Sequence, residues 1–162
     1  VGTLTRPSTL YKEDKSMTTV RSDAVTAGIM PNLMKAGGIL NRIADYTVVT
    51  SALANGTTIE MVPIPKDAKI VDMKLSVRSA TDACTLDVGD ASDRDRFFDG
   101  VGCGLVNVAF SQFGDGTSNG INYRYTSQDT IDVHVLTTTM AVGTEVNLNV
   151  SYVMVGTIRD EI

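Results

Sequence analysis

Tryptophan is absent from this 162-residue chain, histidine occurs once, and aromatic residues make up 6%. A core without large rings has to be filled by Val, Ile, Leu and Met, and a cleft that stacks sugars on aromatic faces is poorly furnished. Basic residues are outnumbered: 14 Lys and Arg stand against 19 Asp and Glu, giving a net charge of −5. Phosphate backbones are gripped by clustered Lys and Arg, so nucleic acid is not expected as a partner. No run of 18 apolar residues occurs, so no membrane-spanning helix is expected. Residues 1–10 hold no apolar stretch of the kind a secretion signal carries. The expectation is a soluble protein made in a reducing cytoplasm.

Catalytic motifs are missing too. There is no G-x-S-x-G, no phosphate-binding glycine loop, no dinucleotide-binding G-x-G-x-x-G after a strand, and no H-E-x-x-H. The single histidine, His134, falls on the polar side of an alternating run, where a lone His is exposed or satisfied rather than catalytic. Paired carboxylates for glycoside hydrolysis are left open, but no enzyme is expected, and neither catalytic, cofactor-binding nor metal-binding residues are assigned. The two cysteines, Cys84 and Cys103, are no disulfide framework and lack zinc-site spacing. Two buried free thiols are expected, with a single disulfide left open.

What the chain does have is β-branched and aliphatic sequence: 43% of it is hydrophobic. Short runs alternate apolar and polar residues. They are Val71, Met73, Leu75 and Val77; Cys84, Leu86 and Val88; Val106, Val108 and Phe110; Ile131, Val133 and Val135; and Val146, Leu148, Val150, Tyr152 and Met154. Residues 47–50 and 59–64 are further strand candidates, the second placed at an edge or strand end by Pro63 and Pro65. Asn55-Gly56 is a turn signal, since both residues tolerate positive φ. Period-two alternation, turn punctuation between runs and no helical period predict an all-β, antiparallel sandwich or barrel.

Residues 1–45 read as an extended N-terminal arm, and residues 46–162 as the β-sandwich body. The first 46 residues carry six Lys and Arg against four acids, while the remaining 116 carry eight against fifteen. A mildly basic arm on an acidic body suits docking on an acidic protein partner. Ala24, Val25, Ile29, Met30, Leu33 and Met34 are candidate anchors on a partner, or fold back on the body's own sheet. An extended arm of this length reaches roughly 150 Å.

One dense constellation stands out in the loop expected over residues 89–100. Asp87, Asp90, Asp93, Asp95 and Asp99 could ligate Ca²⁺, but their spacing is not that of an EF-hand, and Arg94 and Arg96 sit among them. Arginine there pairs with aspartate and stiffens the turn, with Phe97 and Phe98 buried beneath. No metal is assigned. The sequons at Asn55 and Asn149 are read as unmodified.

From Ala44 onward the chain resembles structural proteins of tailed bacteriophages, above all head decoration (cement) proteins. The features carrying the likeness are Ile59-Glu-Met-Val-Pro-Ile-Pro65 with Lys66-Asp-Ala-Lys-Ile70, the strand over residues 71–77, Thr85-Leu-Asp-Val-Gly-Asp90, Asp93-Arg-Asp-Arg-Phe97 with Asp99-Gly100, and a late strand ending near Tyr152. The resemblance implies a jelly-roll-like sandwich that binds the major capsid protein on the capsid exterior and bridges its subunits. It further implies a homo-oligomer, dimer or trimer, and no catalytic residues or cofactor. Other readings are a tail, head–tail or fibre-base component and a host-surface glycan-binding sandwich. The likeness does not extend to the arm.

Overall fold

Alternation becomes a strand where the apolar residues find a common interior, and the computed structural model shows which runs find one. It describes residues 19–26, 38–78, 84–102, 108–111, 120 and 122–156. In chain order the elements are β1 (Thr19–Arg21), α1 (Asp23–Thr26), β2 (Ile39–Thr47), β3 (Thr58–Ile64), β4 (Ala68–Arg78), β5 (Thr85–Asp90), β6 (Asp93–Gly102), β7 (Val108–Ser111), β8 (Asp129–Leu136) and β9 (Glu145–Met154). They build two sheets, a five-stranded one ordered β1-β3-β8-β5-β6 and a four-stranded one ordered β2-β9-β4-β7. The β1–β3 pairing is parallel and the others are antiparallel. From β2 onward the chain changes sheet at every connection except the β5–β6 hairpin. The expected all-β class is met.

Inward rows from both sheets form one core. β9 contributes Val146, Leu148, Val150 and Tyr152, β8 contributes Ile131, Val133 and Val135, and Leu75, Val77, Leu86 and Val88 lie among them. Burying one such aliphatic side chain stabilises the fold by about 1.5–3 kcal/mol. Asn55-Gly56 is the expected turn: Gly56 has φ +86° and its N–H donates to the Val135 carbonyl. Pro63 is tolerated because β1 covers only Thr58, Ile59 and Glu60, leaving that end of β3 an edge.

Several expectations are corrected. Val71 does not join the inner row of β4: a bulge between Ile70 and Asp72 absorbs it, so Ala68 and Ile70 face the core before the shift, and Met73, Leu75 and Val77 after it. The loop expected over residues 89–100 is a hairpin whose turn is Ala91 and Ser92, with β6 as its second arm. Cys84 is 1% exposed and disulfide-bonded rather than a free thiol; its neighbour Thr85 stands opposite Gly102, which precedes Cys103 in the sequence. Residues 106 and 107 and the side chains of β7 lie outside the described residues, as does Cys103.

The boundary expected at residues 45 and 46 falls inside β2, and stretches assigned to the arm belong to the two-sheet body. Thr19, Val20 and Arg21 pair with β3, and Arg21 Nε donates to Glu60 Oε2 at 2.7 Å. Ser22, fully buried, caps the single turn of α1 and donates its hydroxyl to the Met61 carbonyl. β2 escaped notice because its polarity is reversed: Ile39 and Ile43 face outward, while Arg42 and Ala44 occupy the inward row. Residues 1–18 and 27–37, including Ile29, Met30, Leu33 and Met34, lie outside the described residues.

Candidate functional site

The aspartate-rich hairpin is organised around one carboxylate. Asp90 is fully buried where β5 ends. Its Oδ1 accepts bonds from the Ser92 N–H (3.0 Å), the Ser92 hydroxyl (2.6 Å), the Asp93 N–H (3.0 Å) and Arg96 Nη2 (3.3 Å). Its Oδ2 accepts from Arg96 Nε at 2.7 Å and the Tyr125 hydroxyl at 3.2 Å. Burial by itself raises this carboxyl, but the bonds from Arg96 and Ser92 outweigh it and the net shift is downward. The Arg96 guanidinium lies 3.8 Å from the centre of the Tyr123 ring, and Tyr123 meets Tyr125 edge-on at 5.0 Å. Burial, then the Asp90 charge, raises the Tyr125 hydroxyl, which stays a donor.

This hub ties the two sheets together. Tyr125 sits on a segment bonded to β4, with its N–H donating to the Ala68 carbonyl at 2.9 Å and the Ile70 N–H donating to the Tyr123 carbonyl at 3.0 Å. Gly120 permits the approach, since a Cβ there would lie 2.3 Å from Phe97 Cδ1. Phe97 and Phe98 are both buried, and the expected arginine–aspartate pairing is present as Arg96–Asp90. Asp95 and Asp99 are exposed. Among the described residues no three His, Cys, Asp or Glu side chains gather as a metal site.

Beside the hairpin, the face of the five-stranded sheet turned from the core carries a buried polar row. In register across β3, β8 and β5, Thr58 stands by His134 and His134 by Asp87, with Glu60, Asp132 and Gly89 one step along. Thr58, Asp132 and His134 are 6%, 4% and 4% exposed. At one end of this row the start of β6 lies so close to Gly89 that a Cβ there would lie 2.0 Å from the Asp93 carbonyl oxygen. Burial pushes Asp132 up to about 7, and burial with the Arg94 charge pushes His134 down to about 4. Burial also raises Asp87, which accepts the Gly100 N–H at 2.8 Å. His134 Nδ1 is bonded to the Thr58 hydroxyl at 2.9 Å, while His134 Nε2 and Asp132 Oδ1 are buried without a hydrogen-bond partner. An Asp–His–Thr trio is thus brought together, but without the carboxylate–imidazole bond that orients a catalytic base.

The four-stranded sheet presents a different surface. Ile39 (70% exposed) and Ile43 (58%) stand on the outward row of β2. At one end of that sheet, Asp45, Tyr46, Thr47, Ser76, Arg78, Glu145, Val146 and Asn147 line a shallow depression. Asn147 Nδ2 donates to Asp45 Oδ1 and Arg78 pairs with Glu145 at 3.5 Å. Apolar–polar alternation does not mark this surface as exposed; the only local signal for it is isoleucine set among polar residues in β2. No helix among the described residues is long and apolar enough to cross a membrane.

No protein-family profile matches the chain, and no curated protein matches it. Solved structures do share its fold. A chain of the capsid of Ralstonia phage GP4 superposes with TM-score 0.70 at 22% identity, covering 86% of this chain and 100% of that one. A chain of the cyanophage Pam1 capsid asymmetric unit gives 0.61 at 17%, covering 78% and 91%. A chain of the acid-stable capsid of Helicobacter pylori bacteriophage KHP30 gives 0.53 at 16%, covering 75% and 92%. The chain has the fold of proteins found in phage capsids.

Proposed function

We propose that this chain is a virion structural protein of a tailed phage: a decoration protein that binds across major capsid protein subunits on the capsid exterior and stabilises the head. The observation that carries this reading is the fold shared over most of the chain with the phage GP4 capsid chain. The strand order supports a jelly roll, because β2-β9-β4-β7 opposite β3-β8-β5-β6 is the pairing of two Greek keys, with β1 added at one margin. The role is non-catalytic: the one histidine is buried against Thr58 rather than open to a substrate.

A clamp on a shell gains from contacts spread over several subunits. The Asp90 hub ties the hairpin to the β4 side and gives the body a rigid frame. Residues before β1 serve as an arm that adds a second attachment, raising avidity without enlarging the body. A homo-oligomer multiplies the same effect.

The test is to assemble heads lacking the protein, add the purified chain and map it by cryo-EM. Density over the outer surface at junctions between coat subunits is expected. Density confined to the tail or the head–tail junction selects that position instead, and absence of binding to heads or tails overturns the virion reading.

A further inference from the structure

The edges of the two sheets differ in how they are protected against pairing. β1 is three residues long and β7 four. β6 carries Asp93, Arg94, Asp95, Arg96 and Asp99 and twice shifts register against β5. Short length, charge and bulges are the means by which sheet edges avoid adding strands. β2 is neither short nor bulged, and its two charges, Arg42 and Asp45, are of opposite sign. It runs for nine residues without proline, holds unbroken register with β9 from Ile39 to Thr47, and has no strand on its other side among the described residues. Two of the four exposed large hydrophobic residues found among the described residues, Ile39 and Ile43, stand on it.

The strand is also its own complement. Two copies laid antiparallel about a twofold axis at Ile43 overlap along all nine residues. Ile43 then faces Ile43 of the second copy, Asn41 faces Asp45, Leu40 faces Tyr46, Ile39 faces Thr47 and Arg42 faces Ala44. No like charges stand opposite one another. Other axes do worse: one at Arg42 sets two guanidinium groups opposite, one at Asp45 sets two carboxylates opposite, and one at Ala44 sets Ile43 against Asp45. Cross-strand pairs of matched character stabilise a sheet, and like charges directly opposite destabilise it. A twofold contact closes on itself, so such an edge would be consumed by one partner rather than left to grow.

We propose that a second copy of this chain pairs with β2, antiparallel through Ile43, so that the two four-stranded sheets become one continuous sheet across a dimer. The inference rests on the virion reading only for where the dimer acts. It selects dimer over trimer and names the surface, and its sedimentation and cross-linking tests use the purified full chain without any virion component.

Sedimentation velocity over a wide concentration range is expected to show a dimer for the unaltered chain and a monomer for Ile43→Asp. Ile43 is exposed in the single chain, so the fold of that variant should survive, with a circular dichroism melt as the check. Oxidised Ile43→Cys should yield a covalent dimer on a non-reducing gel, because residues facing one another across a strand pair lie within the Cα range of a disulfide. Ile39→Cys should not, since its two copies would be roughly 27 Å apart along the strands at about 3.4 Å per residue. The cysteine pair decides the matter if Ile43→Asp fails to fold. A monomer at every concentration, a dimer untouched by Ile43→Asp, or cross-linking at residue 39 in place of 43 overturns the proposal. A chain monomeric in solution whose head binding is lost in Ile43→Asp also overturns it, assigning β2 to a coat-protein strand instead.

Discussion

Asp132 and His134 stand two positions apart on β8, side by side on the face turned from the core, and each buries one polar atom, Oδ1 and Nε2, without a hydrogen-bond partner. Glu60 from β3, Asp87 from β5 and Arg94 from β6 surround them. Both groups are held away from their charged forms, one carboxyl and one imidazole, by the same desolvation.

Their effects on stability oppose one another. Asp132 rises from 3.8 to about 7 on folding, so its contribution is fully present below 3.8 and is lost as pH climbs through 7. His134 falls from 6.5 to about 4, so its contribution is present above 6.5 and is lost as pH drops through 4. Between these limits the unfolded chain carries its proton on the histidine and the folded chain on the aspartate. The two slopes cancel. Asp132→Asn should therefore leave stability rising from pH 4 to 6.5, and His134→Gln should leave it falling from pH 4 to 7, each at on the order of 1 kcal/mol per pH unit. Urea denaturation at several pH values checks this; identical pH profiles for both variants would sink it.

Asp90→Ala should cost about 3 kcal/mol, because it strips the carboxylate from a mostly buried Arg96 and releases the tyrosine segment bonded to β4. Asp93→Ala, whose carboxylate is 3.6 Å from the same arginine and far more exposed, should change stability by less than about 1 kcal/mol. Denaturant midpoints of the two variants give the comparison, and equal losses would show that the hub is not centred on Asp90.

Gly89→Ala should be among the most damaging single changes, since the clash is with the Asp93 carbonyl and the Arg94 backbone rather than with a movable side chain. A loss of about 3 kcal/mol or more follows from overpacking a site that has no side chain to yield. Gly102→Ala, with nothing within 4 Å of the added carbon, should stay within about 0.5 kcal/mol. Thermal melts of both proteins measure the contrast.

Deletions separate arm from body. Removing residues 1–45 takes away β1 and most of β2, exposing the β9 edge, and should yield a chain that does not fold. Removing residues 1–18 leaves every described element in place and should give a folded protein that binds heads more weakly. Unchanged head binding by that shorter chain would remove the arm from the clamp.

Much of the fold was legible locally. β8 and β9 alternate cleanly because their apolar rows meet the core without interruption, and Asn55-Gly56 marks its turn through backbone sterics alone. The mixture of Arg and Asp around Phe97 and Phe98 foretold the pairing, though its extent hid that a two-residue turn, not a loop, carries it. β2 could not be read, because its outward isoleucines and inward Arg42 reverse the usual pattern. The bulge at Val71 was equally silent, since moving the inner row by one residue leaves the composition unchanged.

By itself, then, the amino-acid sequence determined the class of structure, the positions of most strands and the residues able to form a core, because alternation and turn preference act between near neighbours. Tertiary structure decided which strand pairs with which, that Asp90 links the hairpin to the β4 side, and that Asp132 and His134 are buried rather than solvated. Their face would be polar and wet on an isolated strand. It is dry where β8 is flanked by β3 and β5, pairings between segments far apart in the chain that no local pattern encodes.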